Sequence, residues 1–310
     1  MIHPDYPPAL REIFDSPPLL FAKGRLELLG SVMLGVVGTR RPTAYGKAAA
    51  TRLSKDLAEA GLTIVSGMAR GIDTAAHSAV LEANGDTIAV FGSGIDQIYP
   101  AENRKLAEAL AHKGLLLTEF PMGSPPYPQN FPIRNRIISG MSAGVLVVEG
   151  SEYSGSAITA KLAAEQNRSV FAVPGSIMSK MSWGPNLLIK QGAKLVQEWS
   201  DVVVELSPEV RRKLLDQARN RLILNEINQG ETNGGDRTSN ALQSNSPTPQ
   251  GVARTVLNAL RPDTPQNLDT LMEMLEGSSA SEVLTALFEL EMAGLIRQLA
   301  GKNYVRVWND

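Results

Sequence analysis

The sequence predicts an α/β protein: an extended, Rossmann-like, doubly wound parallel sheet followed by a small C-terminal winged-helix domain. Three observations carry this reading. Short apolar runs alternate with amphipathic stretches from Ser31 to Trp199, the pattern of strands covered by helices on both faces. A stretch rich in Asn, Gly, Ser, Thr and Pro interrupts the chain at residues 227–251. Beyond it, about 60 residues hold three helical patterns and a terminal hairpin pattern, the order of a winged helix.

In chain order, residues 1–29, with Pro4, Pro7, Pro8, Pro17 and Pro18, read as an irregular strap along the larger domain. The Rossmann-like domain occupies residues 30–206. Val32–Val37 is its first strand, followed by a helix from Ala44 to Ala60. Leu62–Val65 and Thr87–Phe91 are the next strands, with helices over Asp73–Ala83 and Glu102–His112. Leu115–Thr118, Val145–Val148 and Val170–Val173 complete the strands, with helices over Ser156–Gln166 and Asn186–Gln191. Repeated strand–helix units wind right-handed into one parallel sheet. Residues 207–250 read as a helix and then a flexible linker, too polar to hold a core of its own. Residues 251–310 form the winged helix, with helices near Ala253–Leu260, Leu268–Leu275 and Ser281–Ala293. Its hairpin runs Leu295–Leu299 and Tyr304–Val307 around a Gly301 turn.

Composition removes several classes of function. The 310 residues contain no cysteine, which excludes disulfides, thiolate metal sites and cysteine nucleophiles. The three histidines, His3, His77 and His112, are scattered, and Asp73 with His77 lacks a third ligand, so no metal and no cofactor is expected. No apolar run reaches the roughly 18 residues of a spanning helix, and no signal peptide is visible. The expected compartment is the cytoplasm. With 30 basic and 32 acidic residues the net charge is −2, so any nucleic-acid binding must sit in a local patch.

Ligands of an open parallel sheet bind beyond the carboxyl ends of the strands. The first such loop is Gly38-Thr39-Arg40-Arg41-Pro42-Thr43: a tight turn, a hydroxyl, a guanidinium fork and the N–H groups of a helix start suit a phosphate. The second, Ser66-Gly67-Met68-Ala69-Arg70-Gly71-Ile72-Asp73, again sets small residues before a helix, with Asp73 as its expected N-cap. The third, Gly92–Pro100, is not a G-x-G-x-x-G fingerprint, so a dinucleotide cofactor is not supported. The fourth is a loop stiffened by Pro121, Pro125, Pro126, Pro128 and Pro132 that holds Tyr127 and Phe131 and leads into Arg134 and Arg136. On a helix those arginines point roughly 200° apart, so one suits a phosphate and the other an internal carboxylate. Aromatic and arginine side chains together are the composition of a single-strand site. The fifth loop runs from Glu149 through Ser154-Gly155-Ser156 into a helix start; beyond the last strand Lys180 and Lys190 read as solvated. Together the loops imply a phosphate-rich ligand held by backbone N–H groups and a few arginines.

Five of these segments, in order, make the chain resemble a known family. They are Val37–Thr43, Ser66–His77, Gly92–Pro100, Phe131–Ile138 and Ser154–Ala160. The family is DprA, also called Smf, the DNA-processing family of bacterial natural transformation. The resemblance covers roughly residues 1–205. It implies a single-stranded-DNA-binding recombination mediator that passes incoming strands to the recombinase RecA and works as a homodimer through the Rossmann domain. It implies no established catalysis and no membrane association. Its phosphate motif maps onto Gly38, Thr39 and Arg40, its arginine segment onto Arg134 and Arg136, and its stacking aromatic onto Phe131. Ser66, Gly67, Ala69, Ser154, Gly155 and Ser156 complete the expected DNA-binding set. Some members carry a lysine a few residues before the phenylalanine; Tyr127-Pro128-Gln129-Asn130 supplies none.

Two rivals remain at this stage. A nucleotide phosphoribohydrolase of the lysine-decarboxylase-like Rossmann group would need P-G-G-x-G-T-x-x-E, which Pro174-Gly175-Ser176-Ile177-Met178-Ser179 does not supply; Glu149 and Glu152 are its nearest carboxylates. A duplex-binding regulator would need a basic recognition helix. Here that helix carries Glu282, Glu289 and Glu291 and no Lys or Arg, so the winged helix is expected to meet protein or to regulate rather than to read a groove.

Overall fold

The computed structural model describes residues 6–151, 154–214, 251–261, 264–275, 278–292, 295–299 and 301–307. The chain divides into two compact units, Met1–Leu214 and Leu215–Asp310. The expected linker over residues 227–251 lies almost wholly outside the described residues.

The first unit is built on an eight-stranded sheet. Its strands are β1 (Phe21–Gly24), β2 (Met33–Val37), β3 (Thr63–Ser66), β4 (Thr87–Val90), β5 (Leu115–Thr118), β6 (Gly144–Val147), β7 (Ser169–Ala172) and β8 (Lys194–Leu195). The order is β1-β5-β4-β3-β2-β6-β7-β8. All pairs are parallel except β1 on β5, which is antiparallel. Every residue of β2 to β6 is buried, which is why these strands read as unbroken apolar runs rather than alternating ones. Strand order reverses at the β2/β6 junction, so the crevice between the loops that follow those strands is the topological switch point.

Among the described residues the α-helices beside the sheet include α1 (Pro8–Arg11), α2 (Ala44–Glu59), α3 (Ile72–Glu82), α4 (Arg104–Lys113), α5 (Asn130–Met141), α6 (Gly155–Glu165), α7 (Trp183–Lys190) and α8 (Trp199–Glu205), and residues 208–214 are helical as well. One cluster joins Val37, Val65, Val90, Leu117, Val145 and Val147 to Ile137, Ile138 and Met141 of α5 and to Leu10 and Ile13 of the N-terminal segment.

Two expectations are corrected here, and two elements are added. Residues 1–29 are not an irregular strap throughout: they hold α1 and the edge strand β1. β1 is mostly exposed, so it lacks the apolar signature, and Lys23 sits in this edge strand, as edges commonly carry charge. Phe131 is not in a loop but in the first turn of α5, whose start accepts Pro132 because a first-turn N–H has no intrahelical partner. β8 and α8 were not foreseen. α8 is set by a capping box between Glu198 and Asp201, and its Trp199, Val202 and Val203 are buried.

The second unit contains α9 (Val252–Ala259), α10 (Leu268–Met274) and α11 (Ala280–Met292). A sheet of β9 (Gln266–Asn267), β10 (Ile296–Leu299) and β11 (Asn303–Arg306), in the order β10-β11-β9, completes the winged helix. Gly301 and Lys302 turn the hairpin with positive φ. Val256, Leu271, Val283, Leu287, Leu290, Ile296 and Tyr304 form its core. Ser279 and Glu282 cap α11 reciprocally: Ser279 N donates to Glu282 Oε2 at 2.7 Å and Glu282 N to Ser279 Oγ at 3.3 Å.

Candidate nucleic-acid interface

A cleft of about 520 Å³ opens at the switch point. Gly38, Thr39 and Arg40 after β2, Ala69 and Asp73 at α3, Phe131 and Arg134 of α5, and Ser154, Gly155 and Ser156 at α6 all line it. The structure thus brings most of the sequence-derived set together. Gly67 lines a small adjoining recess with Arg40, Arg70 and Tyr99.

The floor is held by backbone geometry. Gly38 lies so close to α3 that a Cβ there would stand 2.5 Å from Ile72. Thr39 N donates to Glu149 O at 2.7 Å, and Ile72 N donates to Thr39 O at 3.2 Å, tying the loops after β2, β3 and β6 into one surface. Gly71 takes φ +83° where Thr39 O would meet any side chain. At α6, Ser154 is the N-cap and accepts from Ala157 N at 3.3 Å, while its hydroxyl meets that of Ser156 at 2.8 Å.

Glu149 is buried and belongs to this scaffold. Its carboxylate accepts the Thr43 N–H at 2.9 Å and the Thr43 hydroxyl at 2.6 Å, and Thr43 in turn caps α2. Gly46 must stay small, since a Cβ would sit 2.1 Å from Glu149 Oε2. Gly46→Ala is therefore expected to cost about 1–3 kcal/mol through overpacking, read as a lower urea midpoint at unchanged m-value; a change under about 0.5 kcal/mol would show that the contact relaxes freely.

The arginines divide their work. Arg40 is exposed, its guanidinium carbon 5.3 Å from the Phe131 ring centre, and no carboxylate among the described residues pairs with it. Phe131 also meets Tyr99, ring centres 5.6 Å apart and tilted by 38°, so one aromatic pair walls the cleft. Arg134 is only 3% exposed. It donates to Gly67 O at 2.8 Å, to Val90 O and to Asn135 Oδ1, and it lies 5.9 Å from the same ring centre. Burial, with Arg40 nearby, lowers the Arg134 pKa to about 10, against the pull of Asp73. Asp73 is buried beside it and its pKa is raised by desolvation, although Arg134 and the N–H groups of Ala69 and Gly67 oppose the rise.

The expected N-cap role of Asp73 is corrected: Gly71 is the N-cap of α3, and Asp73 Oδ2 instead accepts Gly67 N at 3.1 Å and Ala69 N at 3.2 Å, holding the loop before its own helix. Arg136 does not line the cleft. It forks onto Glu119, with Nη2 donating to Oε2 at 2.7 Å, and Nε donates to Asp15 Oδ2 at 3.0 Å. Here is the internal carboxylate that the i, i+2 spacing foresaw for one of the pair. Ser66 is also not in the cleft; it is fully buried and donates to Val36 O at 2.6 Å. Tyr99 and Asn135 line the cleft and were missed. Tyr99 also faces Arg70, whose guanidinium lies 5.9 Å from the Tyr99 ring centre.

His77 has a structural place. Thr87 Oγ1 donates to Ile64 O at 2.8 Å, so its only hydroxyl proton is used and His77 Nδ1, at 2.7 Å, must donate to it. Nε2 is buried with no hydrogen-bond partner. Desolvation and Arg134 lower the His77 pKa to about 3. The unfolded chain takes up this proton near pH 6.5 and the folded chain does not. Stability is therefore expected to fall by about 1.4 kcal/mol per pH unit as pH drops from 6.5 toward 3, a slope that His77→Gln removes in denaturant titrations. Among the described residues no group of three or more His, Asp or Glu could hold a metal.

A switch-point cleft with an exposed arginine that pairs with no carboxylate among the described residues, an aromatic wall and two helix starts defines the class: a Rossmann-like protein with an open cleft beyond its strand ends, and a winged helix on the same chain. Comparison with known proteins makes this specific. The family described as DNA recombination-mediator protein A matches residues 1–207, and the DprA winged helix domain matches residues 240–302. The chain belongs to the DprA/Smf family of DNA-processing proteins. It is 50% identical over 202 residues to DNA processing protein DprA of Bacillus subtilis, covering 65% of this chain and 68% of that one. The X-ray structure of DNA processing protein A from Streptococcus pneumoniae superposes with a TM-score of 0.65 at 45% identity, covering 66% of this chain and 72% of that one. A Helicobacter pylori relative, described for its single-stranded DNA binding mode, gives a TM-score of 0.59 at 32% identity over 63% of this chain and 90% of its own. No described helix is long and apolar enough to cross a membrane.

Proposed function

We propose that this chain binds single-stranded DNA in the switch-point cleft and, as a cytoplasmic homodimer through its Rossmann-like domain, delivers the strand to RecA as a recombination mediator. The observation that carries the binding is Arg40 standing exposed over the Phe131 ring at 5.3 Å. One side chain offers a fork to a phosphate, and the other offers a face to a base. Thr39, Ser154 and Ser156 bring hydroxyl groups around them, and Gly38, Ala69 and Gly155 line the cleft as small residues that let a strand approach the backbone. RecA delivery and the dimer rest on the family's known behaviour.

Single strands fit this site and duplexes do not, because duplex bases are stacked inward and cannot lay their faces on a ring in the wall of a cleft. The winged helix adds no remedy: α11 carries Glu282, Glu289 and Glu291 and no basic residue, so its role is contact with protein. The nucleotide-hydrolase alternative loses its carboxylate. Glu149 is held by Thr43 and buried, and Glu152 lies outside the described residues.

The test is fluorescence anisotropy of a labelled oligothymidylate and of a duplex of equal length across a salt series. Single-strand binding should exceed duplex binding and weaken linearly with log salt. Equal binding of both forms, or none of the single strand, would overturn the proposal.

A further inference from the structure

We propose that the single-strand path does not end at the cleft but continues across β6 and β7 to a second stacking platform formed by Tyr45 and Trp183. This rests on the reading of the cleft as a single-strand site and extends it along the sheet rim.

The two side chains sit on one connected edge. Tyr45 is in the first turn of α2, directly after the Thr43 cap, and it is 52% exposed. Its hydroxyl donates to Pro174 O at 2.7 Å, which fixes the ring while leaving much of it open. Pro174 and Gly175 follow β7, and Gly175 exchanges two hydrogen bonds with the Asn186 side chain of α7, at 3.2 and 3.0 Å. Trp183 is the first residue of that helix and is 42% exposed.

The same segment is tied to the cleft wall. Gly150 N donates to Met181 O at 2.7 Å, and Gly184 N donates to Gly150 O at 2.9 Å. Gly150 opens the loop that ends in Ser154, Gly155 and Ser156, which line the cleft. The platform is therefore continuous with the cleft through backbone contacts.

Its chemistry matches a strand already held at Arg40. An anchored tyrosine and a half-exposed tryptophan at one edge offer faces to bases without sequence preference. Lys180, exposed in the turn before Trp183, pairs with no carboxylate among the described residues and stands free for a phosphate. The cleft already spans the loops after β2 and β6, and from there to the loop after β7 is one strand spacing, about 5 Å. At about 3.4 Å per stacked nucleotide, that distance takes roughly one or two nucleotides beyond those in the cleft.

The experiment is a length series of oligothymidylates, from four to sixteen nucleotides, bound to the full chain and to Trp183→Ala, Tyr45→Ala and Arg40→Ala. Affinity of the parent should rise as the strand grows long enough to reach the platform. Trp183→Ala and Tyr45→Ala should remove that rise, on the order of tenfold for one lost stack, and leave the shortest oligomers unchanged. A second readout is independent of these variants: a long oligomer with 5-iododeoxyuridine near one end should crosslink to the peptide containing Trp183. If the parent binds and Arg40→Ala abolishes binding, but the platform variants match the parent at every length, the extension is wrong and the cleft reading stands. If the parent binds no single strand, the cleft reading fails and takes the extension with it. Crosslinks confined to cleft peptides would also overturn the extension.

Discussion

Arg134→Met is expected to lower the unfolding free energy by about 2–5 kcal/mol, the cost of leaving two buried carbonyls unpaired and a buried carboxylate without its nearby positive charge. The guanidinium is 3% exposed and bridges the β3 and β4 ends by donating to Gly67 O and Val90 O. Methionine fills similar volume but satisfies neither carbonyl and leaves Asp73 buried without the nearby positive charge, still held by the N–H groups of Gly67 and Ala69. The pH dependence separates this cause from lost packing. The Asp73 pKa is already raised by desolvation against the pull of Arg134, and removing that pull raises it further. A group whose folded pKa lies above its unfolded value contributes its stability at low pH and loses it as pH rises. The variant should therefore be most destabilised near neutral pH and recover part of the loss toward pH 5. Adding Asp73→Asn should recover part of it at pH 7. Denaturant unfolding of the single and double variants checks both statements; a loss independent of pH and unrelieved by Asp73→Asn would assign the effect to packing.

Phe131→Ala is expected to weaken single-strand binding by about 1–3 kcal/mol, on the order of 5- to 150-fold. The ring does three things at once. It faces Arg40 at 5.3 Å, pairs with Tyr99 at 5.6 Å, and packs on Gly92, where an added Cβ would come within 2.8 Å of it. Its loss removes a base platform and also frees Arg40 from a ring that holds it over the cleft. Phe131→Tyr keeps the π-face and should bind within about threefold of the parent, since stacking needs a face and not a particular ring. Equal weakening by both substitutions would show that the ring serves packing alone. Competition binding with unlabelled oligothymidylate measures all three proteins on one scale.

Much of this architecture was legible because buried parallel strands write themselves as apolar runs. Met33–Val37 and Leu115–Thr118 were found within a residue because both of their faces are covered. β1 was not, because an exposed edge strand has no apolar face to read. α5 was misread at its start because the proline-rich approach to Phe131 looks like loop until Pro132 is recognised as a first-turn residue. The converging loops were legible from the rule that ligands lie beyond strand ends. What spacing cannot tell is which polar group is already occupied. Arg134 and Arg136 look equivalent in sequence, yet Arg136 is tied to Glu119 and Asp15 and Arg134 is buried at the cleft. Ser66 sits in the same motif as Ala69, but its side chain turns inward to Val36 O. Tyr99 escaped because its contact with Phe131 joins residues 32 positions apart, which no local pattern records.

The most direct test of the account is the affinity of Arg40→Ala for a fluorescent oligothymidylate across a salt series. Arg40 is exposed and makes no ion pair among the described residues, so the variant should fold as the parent does and any change reads binding alone. The account predicts a loss of at least about tenfold, the worth of one charged phosphate contact, with the slope of log affinity against log salt reduced by about 0.7. Binding by Arg40→Ala equal to the parent in affinity and salt slope would contradict it, and the phosphates would then have to lie elsewhere on the molecule.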